Sequence, residues 1–150
     1  MIVTFVGHGD TFINRNLSDR IKDTIIRNVS ATASIFFYCG GYGNFDTGCA
    51  MICKELKPFL PTSKTVYVSP YLTDSAQRKI KSLLESKIYD ATVYPPLENV
   101  PPRFAISKRN EWMIDKSDLI IAFVSHTYGG AYKNLRYAVR KGKNIINLAT

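Results

Sequence analysis

Ile2-Val3-Thr4-Phe5-Val6-Gly7-His8-Gly9-Asp10 opens the chain with five consecutive apolar or β-branched residues, closed by a glycine turn. An uninterrupted run of this kind reads as a strand, and one covered on both faces, as in a parallel sheet between helices. The stretch that follows has helical periodicity. Leu17, Ile21, Ile25 and Val29 recur every four residues, with Arg20, Lys22, Asp23 and Arg27 between them.

The same unit repeats outward from this start. A second strand over Ser34 to Tyr38 ends at Gly40-Gly41, and a helix over Asp46 to Lys57 is stopped by Pro58 and Pro61. A third strand covers Thr65 to Ser69. Thr73-Asp74-Ser75 then caps a helix carrying Ala76, Ile80, Leu83 and Leu84. A short strand over Ala91 to Tyr94 leads into a stiff loop holding Pro95, Pro96, Pro101 and Pro102. A helix over Phe104 to Lys116 comes next, then a strand over Asp118 to Val124. The last helix is striped by Ala131, Leu135, Ala138 and Val139 and ended by Gly142, and a final strand runs from Asn144 to Leu148. Alternation of this kind predicts an α/β, Rossmann-like three-layer sandwich with a mainly parallel sheet. The 150 residues fit a single domain, with no repeat, low-complexity tract or linker.

Composition narrows the function. The chain is 45% hydrophobic and 21% charged, ordinary values for a soluble globular protein, and it has no apolar run near the roughly 20 residues that cross a bilayer. Met1 to Gly7 lacks the basic segment and cleavage site of a secretory leader, so the expected location is cytoplasmic, without a membrane partner. Cys39, Cys49 and Cys53 make no disulfide framework. Too few His and Cys accompany them for a metal centre, so they are expected to pack as buried thiols, with no metal. The net charge is +8, and from Arg103 onward nine basic side chains face three acidic ones. Such a surface either suits an anionic partner or serves solubility.

In parallel sheets, ligands sit beyond the carboxyl ends of the strands. Three glycine-rich segments fall there. Gly7-His8-Gly9 follows the first strand, where the backbone can turn sharply and approach a ligand, and His8 can hydrogen-bond or titrate. Gly40-Gly41-Tyr42-Gly43-Asn44-Phe45-Asp46 follows the second. Asp46 there either caps the next helix or accepts from ribose hydroxyls. Thr127-Tyr128-Gly129-Gly130-Ala131 follows the fifth strand and opens a helix whose free N–H groups make an anion seat. None of the three has the G-x-G-x-x-G spacing, so a dinucleotide hydride cofactor is not supported and no cofactor is expected. On the helix before the fifth strand, Arg109 and Asn110 are placed to reach a ligand, Arg109 as a bidentate phosphate donor whose removal would spare the fold.

Taken together, Gly40-Gly41, Phe45-Asp46, Arg109-Asn110-Glu111-Trp112-Met113, Asp118 opening an apolar strand, and Gly129-Gly130-Ala131 resemble the SLOG superfamily. That group holds the Lonely Guy nucleotide phosphoribohydrolases, the SMF/DNA-processing protein A family and the small YpsA-like proteins, and the pattern is most similar to the YpsA-like, SLOG-only members. The resemblance implies a Rossmann-like domain over residues 1–150, a nucleotide-derived ligand, and Arg109 as a ligand contact. Lonely Guy enzymes carry Pro-Gly-Gly-x-Gly-Thr-x-x-Glu, whereas Thr127 to Asn134 here lack the Gly-Thr pair and the acid. Asp46, then Glu111, are the substitute carboxylates, with Arg109 beside them as the other candidate for a catalytic role. Three functions are therefore in play. The first is a binding or sensing module for a nucleotide or nucleotide-sugar. The second is a hydrolase or transferase acting on an N-glycosidic bond, and the third is single-stranded nucleic-acid binding through basic and tyrosine side chains. Pairing of the chain into a homo-oligomer is permitted by its helix faces.

Overall fold

The computed structural model describes residues 1–149. Six strands, β1 (Ile2–Gly7), β2 (Ile35–Cys39), β3 (Ser63–Val68), β4 (Ala91–Val93), β5 (Leu119–Phe123) and β6 (Ile145–Asn147), form one sheet in the order β4-β3-β2-β1-β5-β6. Every neighbouring pair is parallel. Five helices connect them: α1 (Arg15–Asn28), α2 (Gly43–Leu56), α3 (Asp74–Glu85), α4 (Ala105–Lys116) and α5 (Gly129–Arg140). The fold is α/β and Rossmann-like, and no helix among the described residues is long and apolar enough to cross a membrane.

Strand alternation divides the core into two layers. Val3, Phe5, Ile35, Phe37, Leu119 and Ile121 point to the side covered by α1 and α2, where they meet Leu17, Ile21, Ile25, Phe45 and Ile52. On the opposite side Val6, Ile120 and Ala122 meet Ile114 of α4 and Ala138 of α5, while Val66 and Val68 meet Met113 of α4. The three cysteines are buried among the first set, and burial pushes the thiols of Cys49 and Cys53 well above their usual range, which makes them poor nucleophiles.

Local signals set most boundaries. Asn14 caps α1 by accepting from the Leu17 N–H at 2.8 Å, and Thr73 caps α3 by accepting from the Ala76 N–H at 3.2 Å. Gly142, at φ +68°, closes α5 in the left-handed region. The proline loop ends in a 3-10 turn over Pro102–Phe104 that runs directly into α4. One boundary departs from expectation. Helix α2 begins at Gly43 rather than Asp46, because the Asn44 N–H donates to the Gly9 carbonyl at 2.7 Å and so replaces a side-chain cap. Asp46 therefore lies in the first turn of the helix and is not its cap.

The strand order fixes where a ligand can enter. From β1 the chain moves outward to β2, β3 and β4, and from β5 it moves the other way to β6. The switch lies between β1 and β5, so the connections diverge there and leave a crevice at the carboxyl ends of those strands. Two contacts hold the pair in register. At the amino end the Asp118 carboxylate accepts from the Ile2 N–H at 2.8 Å, and at the carboxyl end His8 Nε2 accepts from the Ser125 N–H at 3.1 Å.

Candidate functional site

A cavity of ≈ 160 Å³ occupies this crevice. Its floor is β1 from Thr4 to Gly7. Gly9 follows on the first loop, Tyr42 and Asp46 come from the start of α2, and Ile106, Arg109 and Asn110 come from α4. Gly130, Ala131 and Asn134 come from the first turns of α5. Two glycine segments far apart in sequence thus open into one space. Of the residues singled out from sequence, Gly7, Gly9, Tyr42, Asp46, Arg109, Asn110, Gly130 and Ala131 line it.

The remaining candidates lie behind or beside the cavity. Phe45 is 1% exposed in the core, and a Cβ on Gly7 would fall 2.2 Å from its ring, so that glycine lets the α2 helix pack onto β1. A Cβ on Gly43, at φ +82°, would meet Gly9 Cα at 2.7 Å, and one on Gly41, at φ +69°, would meet the Tyr67 ring at 2.4 Å. These glycines serve close backbone approach. Gly129 and Gly130 differ, because a Cβ on either would find no atom within 4 Å. Thr127 is exposed, and Glu111 pairs with Lys108 at 3.1 Å in a neighbouring groove.

Arg109 is the organising side chain. It is 1% exposed. Nη1 donates to the carbonyl oxygens of Gly40 at 2.8 Å and Val68 at 2.9 Å, and Nε donates to Asn110 Oδ1 at 2.9 Å. The guanidinium thus ties the ends of β2 and β3 to α4, so Arg109 is a fold residue as well as part of the cavity wall. A Cβ on Gly40 would sit 3.0 Å from the guanidinium and 3.1 Å from the Asp46 carboxylate. A side chain there would push both charged groups aside by a few tenths of an ångström. Burial raises Asp46 to about 6, against the opposing pull of Arg109 and the Tyr42 backbone N–H. It is a cavity carboxylate that changes charge just below neutral pH.

His8 does not reach the cavity lining. It is 7% exposed, its ring stacks on His126 at 3.5 Å between centroids, and His126 stacks in turn on Tyr128 at 3.9 Å. Burial first, then the neighbouring His126, lowers its pKa, and the hydrogen bond from Ser125 requires Nε2 unprotonated. His8 braces the loop that leads into α5. Helix α5 starts without a side-chain cap, leaving its first N–H groups free to bind an anion. Ile106 and Asn134 were not singled out from sequence. Their signal is spacing: Ile106 lies three residues before Arg109 and Asn134 four after Gly130, each on the same helical face.

No protein-family model matches the chain, and no curated protein matches it in sequence. Solved structures do resemble it. DNA processing protein A from Helicobacter pylori, described for its single-stranded DNA binding mode, superposes with a TM-score of 0.60 at 16% identity over 97% of this chain. The chain spans 63% of that structure's length. The X-ray structure of a protein named TM1055 superposes with a TM-score of 0.51 at 13% identity, covering 96% of this chain and 71% of its own. These likenesses establish a shared Rossmann-like fold.

Proposed function

We propose that this chain is a SLOG-type binding or sensing module that holds the phosphate of a nucleotide or nucleotide-sugar at the start of α5. The observation that carries this reading is the convergence of the uncapped Gly130-Ala131 turn with Gly7, Gly9, Asp46 and Arg109 on one cavity at the sheet's switch point. Helix N–H groups and the positive end of the dipole favour an anion there. The Asp46 carboxylate, ionised at neutral pH, accepts from ribose hydroxyls beside that phosphate. A panel of nucleoside monophosphates and ADP-ribose, read by thermal shift, tests it, because a ligand at 100 times its Kd adds about 2.7 kcal/mol of stability. Stabilisation by at least one nucleotide, without released base, is the expected result. Absence of any shift overturns the reading, and released base converts it to N-glycosidic hydrolysis with Asp46 as the acid.

A second reading has its own support. A groove lined by Tyr132, Lys133, Arg136, Tyr137 and Arg140 shares Asn134 with the cavity. Arginine over tyrosine recurs along it, at 5.8 Å for Arg136 over Tyr132 and 5.9 Å for Arg140 over Tyr137. Basic side chains with aromatic faces suit a single-stranded nucleic acid, whose binding would weaken steeply with salt.

A further inference from the structure

A second cavity, of ≈ 230 Å³, opens on the other side of Tyr42. Tyr42, Tyr67 and Tyr71 wall it, with Ser69 and Thr73 at its edge and Lys79 of α3 reaching in. Nothing in the site described above uses it. Tyr42 is common to both cavities. Lys79 Nζ stands 4.1 Å from the centre of its ring and the Arg109 guanidinium carbon 5.2 Å from the same centre. Among the described residues neither cation has a carboxylate within 4.0 Å. Gly41 lies against the Tyr67 ring where any side chain would collide, so the loop is shaped to keep that ring beside Tyr42.

We propose that the tyrosine cavity is a second subsite of the same site, and that the ligand is a phosphate-bridged molecule with two nucleoside halves. This rests on the nucleotide reading above. The first half places its phosphate at Gly130, the bridging phosphate passes Tyr42 within the field of Lys79 and Arg109, and the second base lies against the exposed Tyr42 ring, with the buried Tyr67 forming only the back wall. Size supports the division. Each cavity falls below the roughly 300 Å³ at which small-molecule sites begin, and the two together exceed it. Chemistry supports it as well, because an exposed tyrosine ring such as Tyr42 stacks any planar base and a cation beside it attracts the linking anion. Partial burial and then the charge of Arg109 lower the pKa of Lys79, and an anion between the two cations offsets that repulsion.

The test compares AMP, GMP, CMP and UMP with the symmetrical dinucleoside diphosphate of each base, by titration calorimetry on the full chain. The wild-type protein is expected to bind the dinucleoside diphosphate about tenfold more tightly than its mononucleotide, the equivalent of one stacked base. Lys79 is exposed, so Lys79→Met folds; it should erase that advantage and leave the mononucleotide affinity within about twofold. Equal affinity for the two ligands in the wild type, or an advantage that survives Lys79→Met, overturns the second subsite and leaves the first standing. If neither class binds, both readings fall.

Discussion

Arg109 Nη1 grips the carbonyl oxygen of Gly40 at 2.8 Å across 69 residues of sequence, and the same nitrogen holds Val68. A charged donor satisfying two buried carbonyls is strongly coupled to the fold, because its removal strands both acceptors and leaves a void. Arg109→Ala should therefore cost about 3–5 kcal/mol. Arg109→Lys should recover only part of that, since an ammonium cannot reproduce the fork. Urea denaturation of both variants checks this. A loss below about 1 kcal/mol for the alanine variant would mean the guanidinium is dispensable to the fold.

Asp46 gives a pH dependence whose sign follows from its environment. Its folded-state pKa of about 6 stands above the ordinary 3.8, so the native state holds a proton that the unfolded chain has already released. Stability conferred by that proton is fully present below about pH 4 and is lost as pH rises through 6, on the order of 3 kcal/mol in all. Asp46→Asn removes the ionisation. Its stability relative to wild type should climb between pH 4 and 6.5 and level off above. The same variant should bind a nucleotide more weakly at pH 7.5, having lost a charged acceptor for ribose. Parallel stability curves for the two proteins across this range would show that Asp46 is not held in the buried setting described.

Much of the architecture is legible in the sequence because each core strand is a continuous apolar run and each helix a 3.6-period stripe. Residues such as Val3, Phe37 and Ile121 announce themselves that way. The start of α2 is not legible in the sequence, because a backbone carbonyl, that of Gly9, does the work of a cap and no side chain signals it. The loop glycines were legible as special but not in purpose. Gly7, Gly41 and Gly43 yield to Phe45, Tyr67 and Gly9, contacts that depend on strand order. Tyr42, Tyr67 and Tyr71 look scattered along the chain and meet only because β2 and β3 are neighbours in the sheet.

His8 moves stability in the opposite direction to Asp46. Its pKa is lowered in the folded protein, chiefly by burial, so the unfolded chain takes up a proton that the native state refuses. The stabilisation is whole above pH 6.5 and declines as pH falls through the lowered native value. His8→Phe keeps an aromatic ring against His126 and removes both the titration and the acceptor for Ser125. The variant should lose about 1 kcal/mol at pH 7.5 and show a smaller further loss on acidification than wild type. Equal acid sensitivity in the two proteins would exclude His8 as its source.

The paired glycines that open α5 separate backbone need from ligand need. Gly129 sits at φ +87°, where a Cβ is strained although space is free, so Gly129→Ala should cost about 1–2 kcal/mol. Gly130 is not in that region and also faces open space, so Gly130→Ala should be neutral or stabilising by up to about 1 kcal/mol. Gly130→Asp goes further. A carboxylate in the first turn suits the helix dipole, so the fold should hold within about 0.5 kcal/mol. The same charge occupies the proposed phosphate seat and repels any anion approaching it. Nucleotide stabilisation should vanish in Gly130→Asp while its melting temperature without ligand stays near that of wild type. A nucleotide that binds this variant undiminished must be held elsewhere, and the start of α5 would then be only a helix end.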